Sequence, residues 1–172
     1  FHGWQTQPDV RTGQGVLNEA LSIALRHPVR VVAASRTDAG VHAFGQVVSF
    51  ETTSSVPVGS IVRAVGAHLP KDLAVSDARE VEVEFSARFS ARGKWYRYRI
   101  LDSRGPRPLE ARTSHRSRWP LDEGRMREAA SLLVGTHDFR GFSKCKEIRP
   151  TTRTLFSVDV LREGAIVLID VR

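Results

Sequence analysis

Arg36 and Asp38 are the residues whose type and spacing best suit chemistry. They lie in residues 33–50, "AASRTDAGVHAFGQVVSF", between two apolar stretches that read as neighbouring strands. A turn needs only Asp38 and Gly40, because the carboxylate of an Asp-x-Gly sequence can bond the backbone two residues on. Spacing alone favours that plain account. A carboxylate facing a bound nucleotide can also attack a sugar carbon or remove a proton from one, provided that nearby cations keep it ionised. Arg36, one strand step away on the same face, is a candidate for that cation. A glycoside hydrolase would want a second, facing acid, and the sequence offers no partner carboxylate.

A second constellation is residues 94–100, "KWYRYRI". Strand alternation puts Tyr96 and Tyr98 on one side and Trp95, Arg97 and Arg99 on the other. One account is a core face carrying tyrosines and a solvated basic face. The other is a stacking platform for a nucleobase, with arginines beside it to hold phosphates. The distribution of charge favours the second. The chain is formally +7, yet from Arg88 to Arg118 ten Lys or Arg face two acids, leaving sixteen cations against seventeen acids elsewhere. A +8 tract in a chain that is otherwise −1 implies a localised polyanionic partner, RNA or DNA. Arg88, Arg92, Lys94, Arg97 and Arg99 are the expected contacts. A structural protein that dimerises through sheet edges has no need of such a tract.

Other chemistries lack their signatures. There is no GxxxxGK[ST] loop, and Gly13-Gln14-Gly15 is a lone GxG with no strand before it. The six histidines form neither HExxH nor an i, i+4 pair, so no metal is expected, and His42 is read as satisfying a local hydrogen bond. The nucleophile elbow GxSxG is absent. One cysteine, Cys145, excludes an internal disulfide and fits a reducing compartment. No apolar run is long enough for a membrane helix, and no secretory pattern opens the chain, so a cytoplasmic location is expected.

The positioning elements follow from periodicity. Residues 12–27 place Val16, Leu17, Ala20, Leu21, Ala24 and Leu25 at helical spacing, with Thr12 as N-cap and Pro28 beyond the end. Residues 29–35 and 44–52 read as strands flanking the Arg-Thr-Asp-Ala-Gly turn. Residues 59–70 read as a helix capped by Ser60 and stopped by Pro70, and residues 73–83 as a further strand. A second half opens near Phe85, with a strand over 93–102, a Pro- and Arg-rich connection and an amphipathic helix over 121–135. Residues 152–164 and 165–172 are expected to form a hairpin around Glu163-Gly164. Each half mixes strands with helices, which predicts an α+β architecture sharing mainly antiparallel sheet.

"RTDAGVHAFGQVVSF" resembles the signature of the TruA-type family of tRNA pseudouridine synthases. "FHGWQTQ", "ARFSARGKWYRYRI", "GTHDFRGFS" and "RPTTRTLFSVDV" resemble further family blocks in the same order, so the likeness covers essentially the whole chain. The resemblance implies a pseudouridine synthase fold of two ferredoxin-like α/β halves, 1–84 and 85–172, with a cleft between them. It also implies a cofactor-free, metal-free isomerase that converts uridine to pseudouridine in the anticodon stem-loop of tRNA, acting as a homodimer. It assigns the catalytic aspartate to Asp38, the base-extruding arginine to Arg36 and the uracil-stacking tyrosine to Tyr96. Ser35 departs from the glycine that often precedes the RTD block. Family members also carry a strand before "FHGWQ", and after "AIVLIDVR" a basic segment whose arginine pairs with the catalytic Asp. The exact chain is therefore expected to be weakly active or inactive although its full-length parent is an enzyme.

Overall fold

The structure, a computed structural model, describes residues 1–143 and 150–172; Cys145 lies outside the described residues. Among the described residues three α-helices and eight strands build an α+β fold. The chain divides into two compact units, Phe1–Arg92 and Gly93–Arg172.

The first unit is organised around helix α1 (Gly13–Leu25). Its buried residues Leu17, Ala20, Leu21 and Leu25 recur at helical spacing and form one stripe. Thr12 is extended, and its hydroxyl accepts from the Gly15 amide at 3.3 Å, satisfying one of the donors that a helix start leaves free. The helix ends at Arg26, which takes a left-handed conformation with φ 62°. Val29 and Val31 join the α1 stripe in one core with Ile61 and Val65, which lie four apart on helix α2 (Val58–Gly66).

Two expectations fail here. Ser60 does not cap α2: the helix starts earlier, behind Pro57, and the Ser60 amide donates to the Pro57 carbonyl at 2.8 Å. Pro57 itself takes the N-cap position, with no side-chain cap hydrogen bond. Residues 73–83 form no strand. Leu73, Val75 and Ala78 pack on the α1–α2 core without any ladder, while Val81 and Val83 are exposed. The two strands flanking Asp38 are present but short. β1 (Val32–Ala33) and β2 (Val48–Ser49) pair antiparallel, and the Ala34 amide continues the pairing to the Val47 carbonyl at 2.9 Å.

In the second unit β3 (Tyr96–Leu101), β4 (His115–Arg116), β7 (Val158–Glu163) and β8 (Ile166–Val171) form a sheet in the order β4-β3-β8-β7. Only the β3–β4 pairing is parallel. Glu163 pairs with Ile166, so Gly164 and Ala165 make a two-residue turn. Gly164 has φ 59°, the positive value that such tight hairpin turns require. Helix α3 (Glu123–Ser131) starts at Asp122, whose carboxylate accepts from the Arg125 amide at 3.1 Å. Ala130 and Met126 of α3 pack on Val158, Val160, Val167 and Ile100. Arg162 of β7 fastens the helix to the sheet by donating to Glu123 and, at 2.9 Å, to Asp102.

The run 152–164 is not one hairpin arm. β6 (Thr152–Leu155) pairs with β5 (Gly135–Asp138) in a separate two-stranded sheet. At the break the Phe156 and Ser157 amides both donate to the Arg172 carbonyl, at 2.7 and 3.4 Å.

Leu161 and Leu168 face each other in the β7–β8 register, yet Leu161 is half exposed and Leu168 fully buried with Leu101 and Ile166. Leu168→Ala should cost about 3 kcal/mol in urea unfolding, as core truncations do, while Leu161→Ala costs less than about 1 kcal/mol.

Candidate functional site

The chain leaves the β1–β2 ladder after Ala34 and returns at Val47, and the excursion carries Arg36 and Asp38. The Val41 amide donates to the Asp38 carbonyl at 3.1 Å, closing a turn with Ala39 and Gly40 at its centre. Gly40 has φ +79°, as the third position of a type II turn demands. This turn is closed by main chain alone. Asp38 itself is exposed, and among the described residues its carboxylate makes no hydrogen bond or ion pair. The acid is therefore not spent on its own turn. Arg36 is likewise exposed and makes no ion pair with Asp38.

Three other groups hold the excursion in place. The Trp4 amide donates to the Thr37 carbonyl at 2.9 Å. Gly3, at φ +84°, lies so close that a Cβ there would stand 3.0 Å from that same oxygen and 3.4 Å from the Ala39 nitrogen. The Gly3 and Trp4 carbonyls accept from the Gly13 and Gln14 amides at 3.1 and 2.8 Å, so residues 3–4 form a splint between the first turn of α1 and the Asp38 loop. From the other side the Gln46 side-chain amide donates to the Ser35 carbonyl at 2.7 Å. Sequence reasoning found the acid but missed Gly3, Trp4 and Gln46. A glycine between two aromatics was the available signal.

Tyr96 belongs to the second unit. The β3–β8 register places Tyr96 and Tyr98 opposite Val171 and Ile169 on one face, and Arg97 and Arg99 opposite Asp170 and Leu168 on the other. Helix α3 covers the first face only as far as Ile100 and its neighbours. The two tyrosines beyond it are 46% and 59% exposed, so they are not core.

The arginine face is more heavily paired than its composition implies. Arg97 grips Asp170 with two hydrogen bonds of 2.7 and 2.6 Å, and Asp170 is only 6% exposed. That guanidinium holds the Asp170 carboxyl below the usual carboxylate range, against the opposing effect of burial. Trp95 stacks near the Arg97 and Arg172 guanidiniums, with 5.6 and 4.8 Å to its ring. Arg99 donates to Glu110 at 3.1 Å. Arg92 and Lys94 are exposed and have no acid partner among the described residues, while Arg88 lies over the Phe89 ring at 5.4 Å. Among the described residues no three His, Cys, Asp or Glu side chains gather as metal ligands would.

Two outcomes test this geometry. Gly3→Ala forces a positive φ on alanine and a methyl group against Thr37, so it should cost about 1–3 kcal/mol and speed amide exchange at Trp4 and Val41. Because its folded pKa is depressed, Asp170 contributes stability above its unfolded pKa and loses it as pH falls through the folded value. Arg97→Gln removes the cause of that depression, so the acid-unfolding midpoint should move to higher pH, and Asp170→Asn should abolish the shift.

Residues 1–90 match the family described as tRNA pseudouridine synthase. The whole chain is 45% identical over 174 residues to the tRNA pseudouridine synthase A of Syntrophotalea carbinolica, covering 69% of that protein. It is 41% identical to the protein of the same name from Halalkalibacterium halodurans and 42% to that of Cronobacter sakazakii, again over the full chain, covering 66% and 64% of them. The chain thus spans about two thirds of the length of these curated relatives. With its α+β architecture, it belongs to the tRNA pseudouridine synthase family of isomerases.

Proposed function

We propose that the protein isomerises uridine to pseudouridine in the anticodon stem-loop of tRNA, with Asp38 as the catalytic carboxylate. The observation that carries this reading is the unspent acid: a main-chain turn and a glycine splint hold Asp38 in place, while its carboxylate makes no bond among the described residues. A turn aspartate would be expected to use its side chain locally. The relatives' shared name, tRNA pseudouridine synthase A, supplies the reaction and the substrate class.

The reaction adds and removes nothing overall. The bond from uracil N1 to ribose C1′ breaks, the detached base turns, C5 bonds to C1′, and the proton leaving C5 is balanced by one gained at N1. A base inside a stacked helix cannot be reached, so the nucleotide is flipped out. Arg36 assists that extrusion, and Asp38 acts at the ribose, by addition to C1′ or by removal of the C2′ proton. Tyr96 stacks on the free uracil and keeps it from exchanging with solvent. The N-terminal half, 1–84, carries Asp38, and the C-terminal half, 85–172, carries Tyr96. Arg88, Arg92, Lys94, Arg97 and Arg99 contact the RNA, with Arg97 and Arg99 held in register by their acid partners. The enzyme works as a cytoplasmic homodimer and needs no metal or organic cofactor.

The competing reading is an RNA-binding module in which Asp38 is a turn residue only. In the protein at its relatives' length, Asp38→Asn separates the two. Hydrogen release from C5-labelled uridine in tRNA should fall by roughly 10³-fold or more, while tRNA affinity stays near wild type. Undiminished release by the variant would refute the catalytic assignment.

A further inference from the structure

We infer that a small cavity between the 106–111 segment and strand β4 is a phosphate subsite for the RNA backbone, separate from the arginines of β3. The assignment rests on the reading of the protein as an RNA enzyme and adds a place where the RNA is held.

The cavity has a volume of about 230 Å³, and Pro106, Arg107, Pro108, Ser114, His115 and Arg116 line much of it. That is below the range of pockets that enclose whole drug-sized ligands, and it suits a compact anion. Arg107, His115 and Arg116 are among the residues that line it, and no acidic residue is. Glu110, the one acid in the surrounding connection, is turned to Arg99. Arg107 and Arg116 have no acid partner among the described residues. Arg116 uses one nitrogen on the Arg104 carbonyl at 3.4 Å, which leaves the rest of its fork free. Forked guanidinium donors match phosphate oxygens in geometry as well as charge.

The walls are built in advance. β4 is tied to the sheet by parallel pairing of His115 and Arg116 with Ile100 and Leu101, and the Ser117 amide donates to the Leu101 carbonyl at 2.9 Å. Opposite them, a single turn of 3₁₀-helix at Pro108–Glu110 is locked where the Glu110 carbonyl accepts from the Ser114 amide and hydroxyl at 2.9 and 2.8 Å. Two prolines stiffen the approach to that turn.

The test measures the affinity of unmodified tRNA transcript across a range of salt concentrations for the wild type, Arg107→Gln and the Arg107→Gln/Arg116→Gln pair. Each phosphate contact contributes close to one unit to the slope of log affinity against log salt. The slope should therefore drop by about one for the pair, which removes the one phosphate contact, and by less than that for the single variant, with unfolding midpoints unchanged because both side chains are exposed. An unchanged slope overturns the assignment. Titration with inorganic phosphate, followed at the His115 imidazole by NMR, distinguishes the source of the anion. A response there with an unchanged salt slope means a free-phosphate site and also overturns the RNA assignment. The outcome is independent of Asp38→Asn: lost slope with retained turnover would leave the subsite standing while the catalytic reading fell.

Discussion

Everything on the Asp38 side of the molecule depends on how closely two main chains approach each other at Thr37. Its carbonyl takes the Trp4 amide at 2.9 Å, and beside it position 3, at φ +84°, takes any residue other than glycine only under strain. An exposed loop that must present an acid in one orientation faces a conflict. Side chains that would anchor it locally are the ones its chemistry needs, and loops without anchors are mobile. This protein resolves the conflict by drawing its anchors from elsewhere, from the segment before α1 and from Gln46. The carboxylate stays available because other groups do the holding.

The second unit meets the same demand with charge. A bidentate arginine on a buried aspartate costs desolvation that good geometry must offset, and such pairs fix register more dependably than they add stability. Here the pair joins residues directly opposite each other on β3 and β8. A one-residue slip of β3 would carry Arg97 away from Asp170 and turn Tyr96 to the other face. The arginine that composition alone would assign to RNA therefore also determines where the tyrosine points.

Much of this could be read from the chain. Helix α1 was legible because Thr12 is a good cap and the apolar spacing behind it is unbroken. The hairpin was legible because Gly164 falls where a tight turn must lie. The strand expected over 73–83 was not there, since alternating apolar residues serve equally well to pack a coil segment on a helical core. Asp38 and Tyr96 stood out by residue type, and their roles came through the family resemblance. Their supports did not, because Gly3 meets Thr37 and Arg97 meets Asp170 across separations that local pattern does not encode. That pairing also misled the count of free cations in the basic tract.

The same separation orders the assembly of the sheet. β7 and β8 close over a two-residue turn, a local event that costs little chain entropy and belongs to the microsecond scale of isolated hairpins. β3 must arrive from 73 residues away along the chain, so its docking comes later and at greater entropic expense. Until it docks, the Asp170 carboxylate keeps its water. Asp170 is dehydrated only as Arg97, itself still partly in solvent, closes over it, so the nascent hairpin never has to carry an unpaired buried anion.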